Sequence, residues 1–159
     1  MADCGHDHHH TGLSGSVLDA ELSRAEQRCE AAEQRLTPPR RRVLELLLEA
    51  GQPVKAYDLI AAYGSDGAPA KPPTVYRALE VLSGQGFAHR IESLNAYVAC
   101  RRGEAGHSAA FLICDCCGAA VEVSPPAAAG LSGPAEQNGY VLERVTIEGH
   151  GRCADCRAG

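Results

Sequence analysis

The sequence has no tryptophan, two phenylalanines and one methionine, and aromatic residues fill 4% of its 159 positions. Its apolar fraction of 45% therefore leans on alanine and the aliphatics, so one large core would be thin and two small units fit better. Nowhere do 18 apolar residues run together, which argues against a membrane-spanning helix. The opening MADCGHDHHHTG lacks the apolar stretch of a secretory signal, and the cytoplasm is the expected location. An excess of positive charge is missing as well. The formal net charge of −5 excludes a uniformly basic nucleic-acid binder.

The charge is nevertheless uneven. Between Arg35 and Leu79 stand Arg35, Arg40, Arg41, Arg42, Lys55, Lys71 and Arg77, against Glu45, Glu49, Asp58 and Asp66. One basic stretch on an acidic chain permits DNA contact in one place. Cysteine, by contrast, is plentiful, with eight in the chain. A reducing cytoplasm does not sustain a disulfide framework, so metal binding is the leading reason for them.

Residues 1–15 are polar, rich in Gly and His and without periodicity, which describes a mobile arm. Its Cys4, His6, His8, His9 and His10 are metal-binding types, but without a scaffold they describe loose binding or a solvated tail. From Val17, the residues Leu18, Leu22, Ala25, Cys29, Ala32 and Leu36 recur at helical spacing. Pro38 and Pro39 break that stripe and start a second helix over 39–50, which stops at Gly51. A third helix is expected over 55–63 and a fourth from Thr74, after the loop GSDGAPAKPP. Short helices followed by a hairpin make a winged helix-turn-helix the economical arrangement.

The hairpin is FAHRIESLNAYVAC. A turn at Leu94-Asn95 sets Ile91 opposite Val98 and His89 opposite Cys100, with Arg90, Glu92, Tyr97 and Ala99 on the other side. Opposed side chains have Cβ atoms roughly 4.5 to 5.5 Å apart, which suits two ligands of one metal ion. A four-residue turn keeps this pairing; a three-residue turn destroys it. Beyond Cys100 a linker over 101–109 leads to a second unit, with strands expected over 110–113, 119–123 and 140–147 and a short or interrupted helix between the last two. That unit holds few large apolar residues and needs a metal staple and a partner subunit to stay folded.

Cys114-x-x-Cys117 and Cys153-x-x-Cys156 carry the strongest signal. Two residues between thiols let a tight turn aim both sulfurs at one point, and two such knuckles make the closed tetrahedral thiolate site of structural zinc. Either pair alone also fits a thioredoxin-like redox motif, which wants a pair at a helix start after a strand. Cys116, between the ligands, reads as a spectator.

The runs KPPTVYRALEVLSGQGFAHRIESLNAYVAC, HSAAFLICDCCGAAVEV and EGHGRCADC, in this order, resemble the ferric uptake regulator family and within it the zinc uptake regulator branch. The resemblance covers residues 36–156. It implies an α+β fold: an N-terminal winged helix-turn-helix domain over 16–100 and a small α/β dimerisation domain with structural zinc over 110–159. It further implies a homodimeric repressor of zinc uptake genes that binds double-stranded operator DNA, with two Zn²⁺ per subunit and no small-molecule substrate. By position, the structural zinc falls on Cys114, Cys117, Cys153 and Cys156, and the regulatory zinc on His89, Cys100, His107 and Glu122.

A Cys, two His and a carboxylate suit zinc better than iron or manganese, which favour more oxygen donors. Ala109 and Ala110 stand where iron and peroxide sensors of the family carry further histidines. Singly, a strand-end Cys, a linker His and an outward Glu need no metal. His150, beside the last knuckle, reads as a non-ligand.

For DNA, the resemblance points to Arg77 at a base edge and Tyr57 near the groove. Arginine offers a forked donor to guanine, and a tyrosine ring packs on a thymine methyl or contacts phosphate. Tyr76 is a second candidate, beside Leu79 and thus also a core candidate. Arg40, Arg41, Arg42, Lys55 and Lys71 are the phosphate candidates, or simply a solvated face. A hydrolase using Glu122 as general base on a catalytic zinc is the competing class. The chain has neither H-E-x-x-H nor the deaminase pattern, and the expectation is that it is not an enzyme.

Overall fold

The computed structural model describes residues 12–64, 68–100, 109–124, 130–143 and 145–158. They divide into two compact units, one within His9–Gly103 and one within Glu104–Gly159.

In the first unit four helices precede a small sheet: α1 (Gly15–Ala31), α2 (Pro38–Ala50), β1 (Val54–Lys55), α3 (Ala56–Ala62), α4 (Pro72–Gly84), β2 (Ala88–Ile91) and β3 (Ala96–Ala99). The apolar stripes explain the helices. Leu18, Leu22, Ala25 and Cys29 of α1 are buried, as are Val43, Leu44 and Leu47 of α2 and Val75, Ala78, Leu79 and Leu82 of α4. These residues and Leu59 form one core, and burying each Leu or Val is worth about 1.5–3 kcal/mol against leaving it in water. Paired prolines open α2 and α4 where a missing N–H costs nothing. Gly51 ends α2 at φ 61°, its N–H bonded to the Leu47 carbonyl.

The unperiodic arm stops earlier than composition suggests. Leu13 packs against the core and donates its N–H to Leu48 O at 2.8 Å, and Gly15 already begins α1. Residues 1–11, with Cys4 and the four arm histidines, lie outside the described residues. β1 is a two-residue edge that pairs antiparallel with β3, a strand too short for a period to reveal.

The hairpin register differs from the expected one. Ala88 opposes Ala99, His89 opposes Val98, Arg90 opposes Tyr97 and Ile91 opposes Ala96, so the turn is 92–95. Asn95 adopts φ 47° and donates its N–H to Glu92 O at 3.1 Å, a left-handed position that asparagine tolerates. Arg90 braces the turn by donating to Asn95 Oδ1 at 3.1 Å and pairing with Glu92 at 3.3 Å. The shift moves His89 and Cys100 from direct opposition to a diagonal but leaves both on the same side of the ribbon.

The second unit is a three-stranded sheet in the order β5–β4–β6, made of β4 (Ala109–Cys114), β5 (Ala120–Val123) and β6 (Thr146–Gly151). Two short helices accompany it, α5 (Ser132–Gln137) and α6 (Ala154–Ala158). β4 takes in Ala109, which composition assigns to the linker. β5 returns antiparallel through a tight turn, whereas β6 is parallel to β4 and therefore needs a long crossover, which contains α5.

The last strand lies six residues later than its expected start. Tyr140, Val141 and Leu142 stay outside it and exposed, while the glycine-bearing TIEGHG pairs with β4. Gly149 lets the strands approach closely there, where a Cβ would sit 3.3 Å from Leu112 Cδ2. Phe111 and Ile113 are the buried centre of the unit. Among the described residues, no helix is long and apolar enough to cross a membrane.

Candidate metal centres and nucleic-acid interface

The parallel pairing of β4 with β6 brings the two cysteine knuckles together. Cys114 ends β4 and Cys117 sits in the turn that follows, where Gly118 at φ 75° donates its N–H to Cys114 O at 2.9 Å. Opposite Cys114 lies Gly151 at the end of β6, so Cys153 follows directly and α6 carries Cys156. The four sulfurs all lie within 4.8 Å of one another, with Cys117 Sγ 3.9 Å from Cys153 Sγ. Bonds of about 2.3 Å to a tetrahedral zinc give sulfur–sulfur edges of about 3.8 Å, so the cage has the right size for that ion.

The electrostatics agree. Backbone N–H groups aimed at Cys114, that of Cys117 first and that of Cys153 next, pull its thiol down to about 6. Burial pushes Cys117 and Cys156 up. One sulfur is thus prepared as thiolate, and a divalent cation is what lets Cys117 and Cys156 join it. All-sulfur donors in a closed set fit structural zinc and leave no position for a substrate. Cys116, on the same turn, is not one of the four that converge.

His89 and Cys100 are a second pair of donors, both half-buried, from β2 and from the residue after β3. Cys100 is held in the ladder by its N–H to Phe87 O at 2.9 Å. The ligating atoms of His89 and Cys100 lie within 4.8 Å of each other, although the register puts them on a diagonal. Glu122 is half-buried on β5 opposite Phe111. His107 lies outside the described residues.

The DNA candidates divide into two sets. Tyr57 on α3 and Tyr76 on α4 are 63% and 52% exposed, so Tyr76 is not a core residue beside Leu79. Arg77 is exposed on α4, and Lys71 is exposed at its N-cap. Lys55 holds its ammonium 6.0 Å from the centre of the Tyr57 ring, which pairs the two at the start of α3.

The arginine run is largely occupied. Arg41 pairs with Glu26 at 2.9 Å, and Arg42 donates to the carbonyls of Tyr63 at 2.9 Å and Ala62 at 3.2 Å and to Glu45 at 2.8 Å. Arg42 thereby satisfies the open C-terminal carbonyls of α3 and fixes it to α2. Arg40 donates to Arg35 O at 2.9 Å.

Two acidic residues that sequence reasoning passed over flank His150. Nδ1 is 2.8 Å from Asp115 Oδ1, and Nε2 is 3.7 Å from Glu148 Oε2. Glu148 is two positions before His150 on β6, whereas only the parallel register reveals Asp115, 35 positions away.

Comparison with known proteins gives one consistent picture. The model of the ferric uptake regulator family matches residues 31–150. The chain is 41% identical over 137 residues to the zinc uptake regulation protein of Escherichia coli strain K12, covering 85% of this chain and 80% of that one. Among solved structures, a zinc uptake regulator complexed with zinc and DNA matches with TM-score 0.83 and 38% identity, covering 91% of this chain and 97% of that one. Holo XcZur matches with TM-score 0.80 and 43% identity, covering 89% and 99%.

Proposed function

The chain belongs to the ferric uptake regulator family, and from that premise we propose that it is a zinc-responsive DNA-binding repressor of zinc uptake genes, acting in the cytoplasm as a homodimer. The family is one of regulators, and the protein is not an enzyme. The observation that carries the zinc response is the pair His89 and Cys100 on one side of the wing, with ligating atoms within 4.8 Å, in a chain 41% identical to a zinc uptake regulation protein.

In this reading each subunit takes two zinc ions. The first, at Cys114, Cys117, Cys153 and Cys156, keeps the sheet unit folded. The second is reversible, held by His89 and Cys100 of the wing and completed by His107 and Glu122. Bound by all four, it fixes the angle between the two units, so that the reading helices of a dimer match two half-sites on the operator. Zinc prefers that closed arrangement and therefore raises operator affinity. One thiolate and two imidazoles favour zinc over iron and manganese.

On the DNA side, Arg77 reads a base edge, with Tyr57 and Tyr76 beside it, while Lys55, Lys71 and Arg40 hold phosphates. Arg41 and Arg42 are assigned to the fold, because their charges are already paired with Glu26 and Glu45, whereas Arg40 donates to the Arg35 carbonyl. Dimerisation is supported by the sheet. Leu112 and Val121 oppose each other across β4 and β5 and are 57% and 61% exposed, an apolar pair suited to a second copy.

Operator binding by the purified protein across buffered free zinc, with metal content measured at each step, tests this. Binding is expected to rise as the second zinc enters. Binding that ignores zinc, or that follows iron or manganese instead, contradicts it.

A further inference from the structure

The Asp115–His150–Glu148 cluster is not used by either metal set, yet it sits where the two knuckles meet. Asp115 follows Cys114 directly and opens the turn that carries Cys117. His150 lies on β6 beside Ile113, three residues before Cys153. Its two ring nitrogens face two different carboxylates, Asp115 at 2.8 Å and Glu148 at 3.7 Å, on opposite sides of the ring. Nδ1 is engaged by its hydrogen bond to Asp115, and His150 is not among the groups that converge in either metal set.

The same place is crossed by two further bonds. Asp115 donates its N–H to Gly151 O at 2.8 Å, and Cys153 donates its N–H to Cys114 Sγ at 3.3 Å. Of the three links, Asp115–His150 is the one made between two side chains.

We propose that His150 is a positioning residue for the four-sulfur centre, locking the first knuckle to the strand that delivers the second through its bond to Asp115. It coordinates nothing. It narrows the range of relative positions open to the Cys114–Cys117 turn and to Cys153, so that the four sulfurs meet a metal ion without first having to be gathered. Groups behind the ligands commonly alter metal affinity by 10- to 100-fold in this way. Loss of the bond is therefore expected to act on how firmly zinc is held and not on how many ligands hold it. The proposal rests on the zinc reading of the four cysteines.

The test uses the full-length, zinc-loaded protein and two readouts: the rate of zinc loss to a chromogenic chelator, and cadmium-113 NMR of the cadmium-substituted form. In His150→Ala the cadmium resonance is expected to stay in the four-sulfur range while zinc leaves about 10-fold faster. Asp115→Ala is expected to do the same, and the double variant no more than either single one, because both remove one bond. His150→Gln, with an amide donor for Asp115, recovers part of the loss. Ile147→Ala, in the same strand but outside the cluster, lowers the melting temperature without speeding zinc loss.

Zinc loss at the wild-type rate in His150→Ala, or additive effects in the double variant, overturns the proposal. So does a cadmium resonance that leaves the four-sulfur range in His150→Ala, since His150 would then be a ligand. A wild-type protein with no four-sulfur resonance overturns the zinc reading itself and the proposal with it.

Discussion

The two units reach stability by different routes. The helical unit buries Leu22, Val43, Leu47, Leu59, Val75, Leu79 and Leu82 at 2% exposure or less in one cluster, and among the described residues no member of either converging ligand set belongs to it. The sheet unit has Phe111 and Ile113 at its centre, leaves Leu112, Val121, Tyr140 and Val141 exposed, and gathers four cysteines at the end of its central strand. A unit of that size with so little core fits the proposed zinc staple and second copy. Under the proposed function this division suits a sensor, with a DNA-reading part that folds without a metal and a second part that a tightly held ion staples.

The contrast is broken most severely at the staple. Cys117→Ser is expected to unfold the sheet unit and abolish dimers while the helical unit keeps its far-UV signal, as circular dichroism and sedimentation will report; loss of both units together would contradict the separation. In the helical unit, Leu47→Ala should cost about 2–5 kcal/mol in denaturant unfolding and leave the four-sulfur zinc in place. Leu112→Asp should leave zinc content unchanged and shift sedimentation from dimer to monomer, by putting a charge into the apolar pair with Val121.

Smaller effects sharpen the DNA half. Arg77→Ala should retain both zinc ions and lose about 1–3 kcal/mol of discrimination between operator and altered sequence, whereas Lys71→Ala should weaken all sequences alike and flatten the salt dependence. The smallest concerns pH. The hydrogen bond to Asp115 holds the His150 imidazole above its ordinary 6.5, with the Asp115 and Glu148 charges adding to it. Its share of stability is complete below the ordinary value and fades as pH rises through the raised one. Histidine NMR should find His150 titrating above 6.5, and a value at or below that contradicts the pairing.

Much of this was legible in the residues, for identifiable reasons. The stripes of α1, α2 and α4 stand out because leucine and valine recur at helical period, and the knuckles because two-residue spacing between thiols has few other uses. The hairpin was legible in its faces but not in its register. Alternation sets which side a residue takes, whereas Asn95 at φ 47° and its contact with Arg90 set the turn.

β6 was misplaced because Tyr140, Val141 and Leu142 carry a strand-like pattern and TIEGHG does not. Its pairing is granted by β4, which receives Gly149 closely beside Leu112. The bonds of Arg41 and Arg42 were hidden for a similar reason, since Glu26 on one side and Ala62 and Tyr63 on the other are distant in the chain.

The proposed zinc response depends on a reversible ion that is separate from the one held by the four cysteines. Its most direct test is zinc titration of wild type and Cys100→Ser, each with and without operator DNA. Wild type should go from one to two zinc ions per subunit and bind the second more tightly on DNA, by the same factor as zinc tightens DNA, while Cys100→Ser stays folded, dimeric and at one zinc with flat operator affinity. Equal zinc affinity on and off DNA, or a Cys100→Ser protein that still answers zinc, would contradict it.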